Sequence, residues 1–96
     1  MANLRSLKKD IDYLLSMVLE ECMYVIEAYP DADKEKVLDL ARKIIVSHRN
    51  LRLRVNHIDG KADPKKVKEY LKKIVDDLYG EANSSLEELS VLIKQL

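Results

Sequence analysis

The sequence predicts an all-α fold, an up-down-up three-helix bundle of long helices, and three observations carry that prediction. Apolar residues recur every three or four positions along most of the chain, the spacing that keeps side chains on one face of a helix. Helix breakers are scarce: the 96 residues include two prolines and two glycines. The composition is 47% hydrophobic and 35% charged, too apolar for a disordered chain and suited to amphipathic helices.

The first helix is expected to start at Asn3, an N-cap residue type. Its apolar line is Leu4, Leu7, Ile11, Leu14, Val18, Cys22, Val25 and Tyr29, flanked by Leu15 and Ile26. Pro30 ends it, because the residue before a proline is pushed out of the α region. Asp31 or Asp33 caps the middle helix, and Glu35 in its first turn suits the helix dipole. That helix, Asp33 to Asn56, carries Val37, Ala41, Ile44, His48, Leu51 and Val55 on one line. It ends in Arg49, Arg52 and Arg54, basic where the dipole favours basic.

Asn56 to Lys61 contains Asp59-Gly60, a turn signal. Asp63-Pro64 then reads as an N-cap followed by proline at the first helical position. The last segment admits two readings. Gly80 could close a helix, and Ser84 with Glu87 has capping-box spacing for another, giving a four-helix bundle with a break near Gly80. The apolar line Val67, Leu71, Ile74, Leu78, Ala82, Ser85, Leu89, Leu92, Leu96 crosses Gly80 in unbroken phase. A chain that turned back would have no reason to keep that phase. One helix from Pro64 to about Gln95 is therefore expected.

Residues 1–96 read as a single domain, since a second core does not fit in this length. Phe and Trp are absent, so the core must be aliphatic with tyrosine at its margins. The lone cysteine, Cys22, cannot form an intramolecular disulfide, which fits a reducing cytoplasm, and it sits on the apolar line as a small core residue. No apolar run approaches the ~20 residues needed to span a bilayer, so no membrane partner is expected.

The opening Asn3-Leu4-Arg5-Ser6-Leu7-Lys8-Lys9-Asp10-Ile11-Asp12-Tyr13-Leu14 resembles the start of a family of short, uncharacterised bacterial helical proteins. Arg49-Asn50-Leu51 and Arg54-Val55-Asn56-His57, followed by a lysine-rich helix, resemble it too. The resemblance implies a cytoplasmic helical protein. It implies no activity and no site residues.

The chemistry-bearing residues are few. No P-loop, dinucleotide fingerprint, zinc pattern or nucleophile elbow occurs, and the Glu-x-x-His spacing of helical di-iron sites is absent. No catalytic residues, metal ligands or cofactor are assigned, and the chain is expected not to be an enzyme. His48 reads as a buried or half-buried histidine hydrogen-bonded to a neighbour, its partner not evident from spacing. His57 and Asp59 could offer two metal ligands, too few for a specific site.

Two distributed features say more. Folded up-down-up, residues 1–14 and 48–74 share one end of the bundle, with twelve basic and five acidic side chains, a net of +7. The other end carries −7, so the formal net charge of zero hides a separation of sign. Helix dipoles account for the basic end of the middle helix but not for the lysines that open the third. Arg49, Arg52, Arg54, Lys65, Lys66 and Lys68 are the candidate polyanion-binding residues, and they should meet across the short connecting turn. The second feature is the back of the first helix. Tyr13, Met17, Met23 and Tyr24 project roughly opposite its core line, a second apolar stripe that a partner or a second copy would cover. The leading expectation is a non-catalytic interaction or structural module, homodimeric through the first helix. The alternative is sequence-tolerant binding of a nucleic acid or RNA assembly at the basic end.

Overall fold

The computed structural model describes residues 4–58 and 63–96. They form three helices, α1 (Leu4–Ala28), α2 (Lys34–Asn56) and α3 (Pro64–Lys94), and each packs against both others. The bundle is slender, 53 × 20 × 17 Å. Its radius of gyration, 15.6 Å, exceeds the roughly 12.5 Å of a compact domain of this length. That elongation follows from helices of 23 to 31 residues lying side by side.

The predicted start at Asn3 and the Asp59-Gly60 turn with Lys61 lie outside the described residues. Elsewhere the local signals act as expected. At α2 the cap is Asp33, whose Oδ1 accepts from the backbone N–H groups of Glu35 at 3.1 Å and Lys36 at 3.3 Å. Asp63 does the same for α3, accepting from the Lys65 N–H at 3.0 Å with Pro64 at the first turn. Gly80 lies inside α3, which runs on without a break to Lys94. The unbroken apolar phase outweighs one glycine, whose interior penalty is only ~1 kcal/mol.

The core is two aliphatic clusters in series along the bundle. One gathers Ile11, Leu15, Val18, Ile44, Leu51, Val55, Ile74 and Leu78 among others. The second gathers Cys22, Val25, Val37, Leu40, Ala41 and Leu89 with Ala32 of the α1–α2 connection. Leu19 and Leu86 pack against both and join them.

The core line of α1 differs from expectation at three positions. Leu15 is buried and Leu14 only half-buried, so the inner line runs through Leu15. Leu4 is 40% exposed, because the first turn of α1 has less of its neighbours beside it. Tyr29 falls just past the helix, its N–H still bonded to the Val25 carbonyl at 3.0 Å. Leu40 joins the core from α2, one residue before Ala41 and on the same broad face.

Candidate functional site

The outer face of α1 is built by helical phase alone. Tyr13, Met17 and Tyr24 follow at steps of four and seven, which places them within about 40° of one another at 100° per residue. The buried residues Leu7, Ile11, Val18, Cys22 and Val25 occupy the opposite side. Tyr13 is 71% exposed and Tyr24 59%, with Met17 at 38%. Met23, 42% exposed, precedes Tyr24 and so faces about 100° away, on the shoulder of the stripe. Glu20, three residues after Met17 and four before Tyr24, lies on the same line and interrupts it, and Lys9 and Glu27 stand near its two ends; all three are exposed.

The middle helix also has apolar residues on its outer side, beyond the sites expected from the sequence. Val46 and Leu53 are exposed, seven residues apart, and alternate with exposed Arg42 and Arg49. Their phase, roughly opposite Ile44 and Val55, was available from periodicity. Basic neighbours at the same spacing make this a solvated face.

Between α1 and α2 lies a polar seam. His48 donates from Nε2 to Asp12 Oδ1 at 2.7 Å, and Arg52 Nη1 stands 3.6 Å from Asp12 Oδ2. Asp12 is the partner that spacing could not supply for His48. Its signal in the sequence was its place beside the core line, three residues before Leu15 and on the flank of α1. Both carboxylate oxygens are engaged, one by imidazole and one by guanidinium. That arrangement ties two helices together. A small cavity of about 220 Å³ adjoins it, lined by Leu15, Ser16, Leu19, Ile44, Ile45 and His48.

The basic end is less concentrated than the charge count suggests. Arg54 does not meet Lys65, Lys66 and Lys68; its Nη1 donates to Asp77 Oδ2 at 2.8 Å, farther along α3. Helical side chains lean toward their own N-terminus. For α2 that direction is away from the basic end, so Arg54 reaches back to an acid in the opposite half of the bundle. Arg52 is paired with Asp12. Arg49, Lys65, Lys66 and Lys68 remain exposed and form no ion pair among the described residues. The end of α2 is pinned by Tyr70, whose hydroxyl donates to the Arg54 carbonyl at 2.9 Å, with the His57 carbonyl also in reach at 3.2 Å. These are carbonyls of the last turn, which lack partners within the helix.

Two further groups complete the inventory. Cys22 is fully buried, and burial pushes its thiol above the ordinary value of 9.0. A thiol held protonated is a poor nucleophile. His57 is exposed, and its expected companion Asp59 lies outside the described residues. Among the described residues no three His, Cys, Asp or Glu side chains gather as a metal site would need, and no helix is long and apolar enough to cross a membrane. No family model, no curated protein and no solved structure matches the chain.

Proposed function

We propose that the chain is a non-catalytic interaction module that self-associates through the outer face of α1. The observation that supports this most is the pair of large tyrosines, Tyr13 and Tyr24, exposed at 71% and 59% with Met17 between them on a helix whose inner face is already buried. Tyrosine and methionine are enriched in interface cores and adapt to irregular partners. A twofold dimer would use the same strip from both chains, with Lys9 of one copy able to approach Glu20 or Glu27 of the other in an antiparallel arrangement. Light scattering across a micromolar concentration series tests the reading. A dimer is expected, and Met17→Lys with Tyr24→Lys should give a folded monomer; a monomer at every concentration overturns it.

A second reading, salt-dependent binding of polyanions, draws on Arg49, Lys65, Lys66 and Lys68, which are among the basic residues that form no ion pair among the described residues. Titration of labelled RNA at two salt concentrations tests it, with Lys65, Lys66 and Lys68 changed to glutamine as the control. Binding should be modest and should fall steeply toward physiological salt.

A further inference from the structure

The apolar line of α3 is continuous in sequence, but its burial is not. Ile74, Leu78, Ala82, Ser85 and Leu89 are buried. Val67, Leu71 and Val75, nearer the N-terminus, are only half-buried. With Leu7 of α1 they wall a groove of about 490 Å³ between the two helices. Two lysines, Lys68 and Lys72, line it four residues apart, hence on one side of α3. Both are exposed, and neither forms an ion pair among the described residues.

Two other grooves of similar size carry both signs of charge. One of about 580 Å³ between α2 and α3 is lined by Lys36 and Lys43 but also by Asp39, Glu87 and Glu88. One of about 410 Å³ has Arg54 facing Asp76, Asp77 and Glu81. Lys43 pairs with Glu88 in the first and Arg54 with Asp77 in the second. Among the described residues that line the α1–α3 groove, the charged ones are the two lysines, so this lining supplies no complementary charge of its own.

We propose that this groove binds a medium-chain fatty acid, with the acyl chain against Leu7, Val67, Leu71 and Val75 and the carboxylate between Lys68 and Lys72. Its volume falls within the roughly 300–1,000 Å³ of small-molecule sites, which are mostly apolar with a few polar groups to orient the ligand. From Lys68 to Val75 the α3 wall runs about 10 Å at 1.5 Å per residue, room for most of an extended acyl chain beyond the carboxylate. Lysine suits the rim, because its stem lies along apolar surface while the ammonium stays at the water boundary. Seven of the described residues line the groove, against roughly 20–30 a side in a stable protein interface. A small amphiphile therefore fits it better than a protein partner. The site lies off the Tyr13–Met17–Tyr24 strip, so its failure leaves the dimer reading untouched.

Isothermal titration of the full chain with sodium decanoate, below its micellar concentration, tests the proposal. One saturable site per chain is expected. Octanoate, two methylenes shorter, should bind roughly tenfold more weakly. K68Q/K72Q changes only exposed side chains and should keep the fold while losing roughly tenfold in affinity. Val75→Glu, with its helicity checked by circular dichroism, should abolish binding by placing a carboxylate in the wall. Methyl resonances of Leu7, Val67, Leu71 and Val75 should shift together on titration. The proposal is overturned by any of three results: no saturable heat, equal affinity for decyltrimethylammonium, or full affinity in K68Q/K72Q. Adsorption to anionic vesicles without binding of monomeric decanoate also overturns it.

Discussion

At the basic end α1 meets its two neighbours in different ways. Toward α2 it offers Asp12, which holds His48 at 2.7 Å and Arg52 at 3.6 Å beside buried Leu15 and Ile44, where the cavity is the smaller, about 220 Å³. Toward α3 no ion pair joins the helices among the described residues, and the half-buried Val67, Leu71 and Val75 border an open groove. The α3 side also carries Lys65, Lys66 and Lys68 in turns where the helix dipole disfavours cations. The contrast teaches that apolar phase alone does not close a seam. Aliphatic packing aligns two helices anywhere along a stripe, whereas directional polar pairs at chosen levels set how closely and in what register they lie.

The largest effect should come from testing the closed and open parts of α3 against each other. Ile74→Ala removes a fully buried side chain and should cost about 2–5 kcal/mol in urea denaturation. Val67→Ala, on the half-buried stretch, should cost clearly less. Equal losses at the two positions would mean that the first turns of α3 are packed as tightly as its middle, and the contrast would fail.

Gly80→Ala sharpens the same comparison from the far side of Ile74. A Cβ built there meets nothing within 4 Å. The substitution should stabilise the protein by about 0.5–1 kcal/mol, since alanine is the better interior helix former. Marked destabilisation would contradict a continuous α3.

The polar seam should contribute less, because its groups are partly solvated: His48 is 40% and Asp12 48% exposed. A double-mutant cycle on Asp12→Ala and His48→Ala should give a coupling of about 0.3–1 kcal/mol, smaller at high salt. Zero coupling at low salt would remove the seam from the account of register.

The smallest effect belongs to Cys22. Burial raises its thiol pKa, so the folded state keeps a proton that the unfolded state loses as pH rises past about 9.0. Unfolding then releases that proton, and stability falls as pH increases above this value. Cys22→Ala should flatten the stability slope between about pH 8 and 10 relative to the parent protein. Below that window the two slopes should run parallel. Ellman's reagent should react with Cys22 only at the rate of unfolding.

Much of the fold was legible because its signals are local. Asp33 and Asp63 cap helices through their own neighbours' N–H groups, Pro30 stops one, and the phase across Gly80 keeps α3 whole. The outer strip of α1 was legible for the same reason, since phase relative to the core line needs no partner. Leu14 and Leu15 show where that reading stops. Both lie on the apolar side of α1, and which one is inner depends on where α2 and α3 stand. The partners of His48 and Arg54 were out of reach for a similar reason. Asp12 is 36 residues from His48 and Asp77 is 23 from Arg54. Such pairings follow from interhelical register and from the lean of side chains, neither of which periodicity contains.

The sequence by itself determined three amphipathic helices, the cap of the third at Asp63 and that of the second at Asp31 or Asp33, the up-down-up order and an aliphatic core with an exposed tyrosine strip. Those properties follow from backbone sterics and from the free energy of burying apolar area, which act within or between neighbouring turns. Only the tertiary structure decided that Arg52 and Arg54 are matched by acids while Lys65, Lys66 and Lys68 are not. It alone decided that the apolar line of α3 is buried from Ile74 to Leu89 and more open at both ends. Charge neutralisation and groove closure depend on distances of a few ångströms between helices, and those distances are set by how all three pack at once.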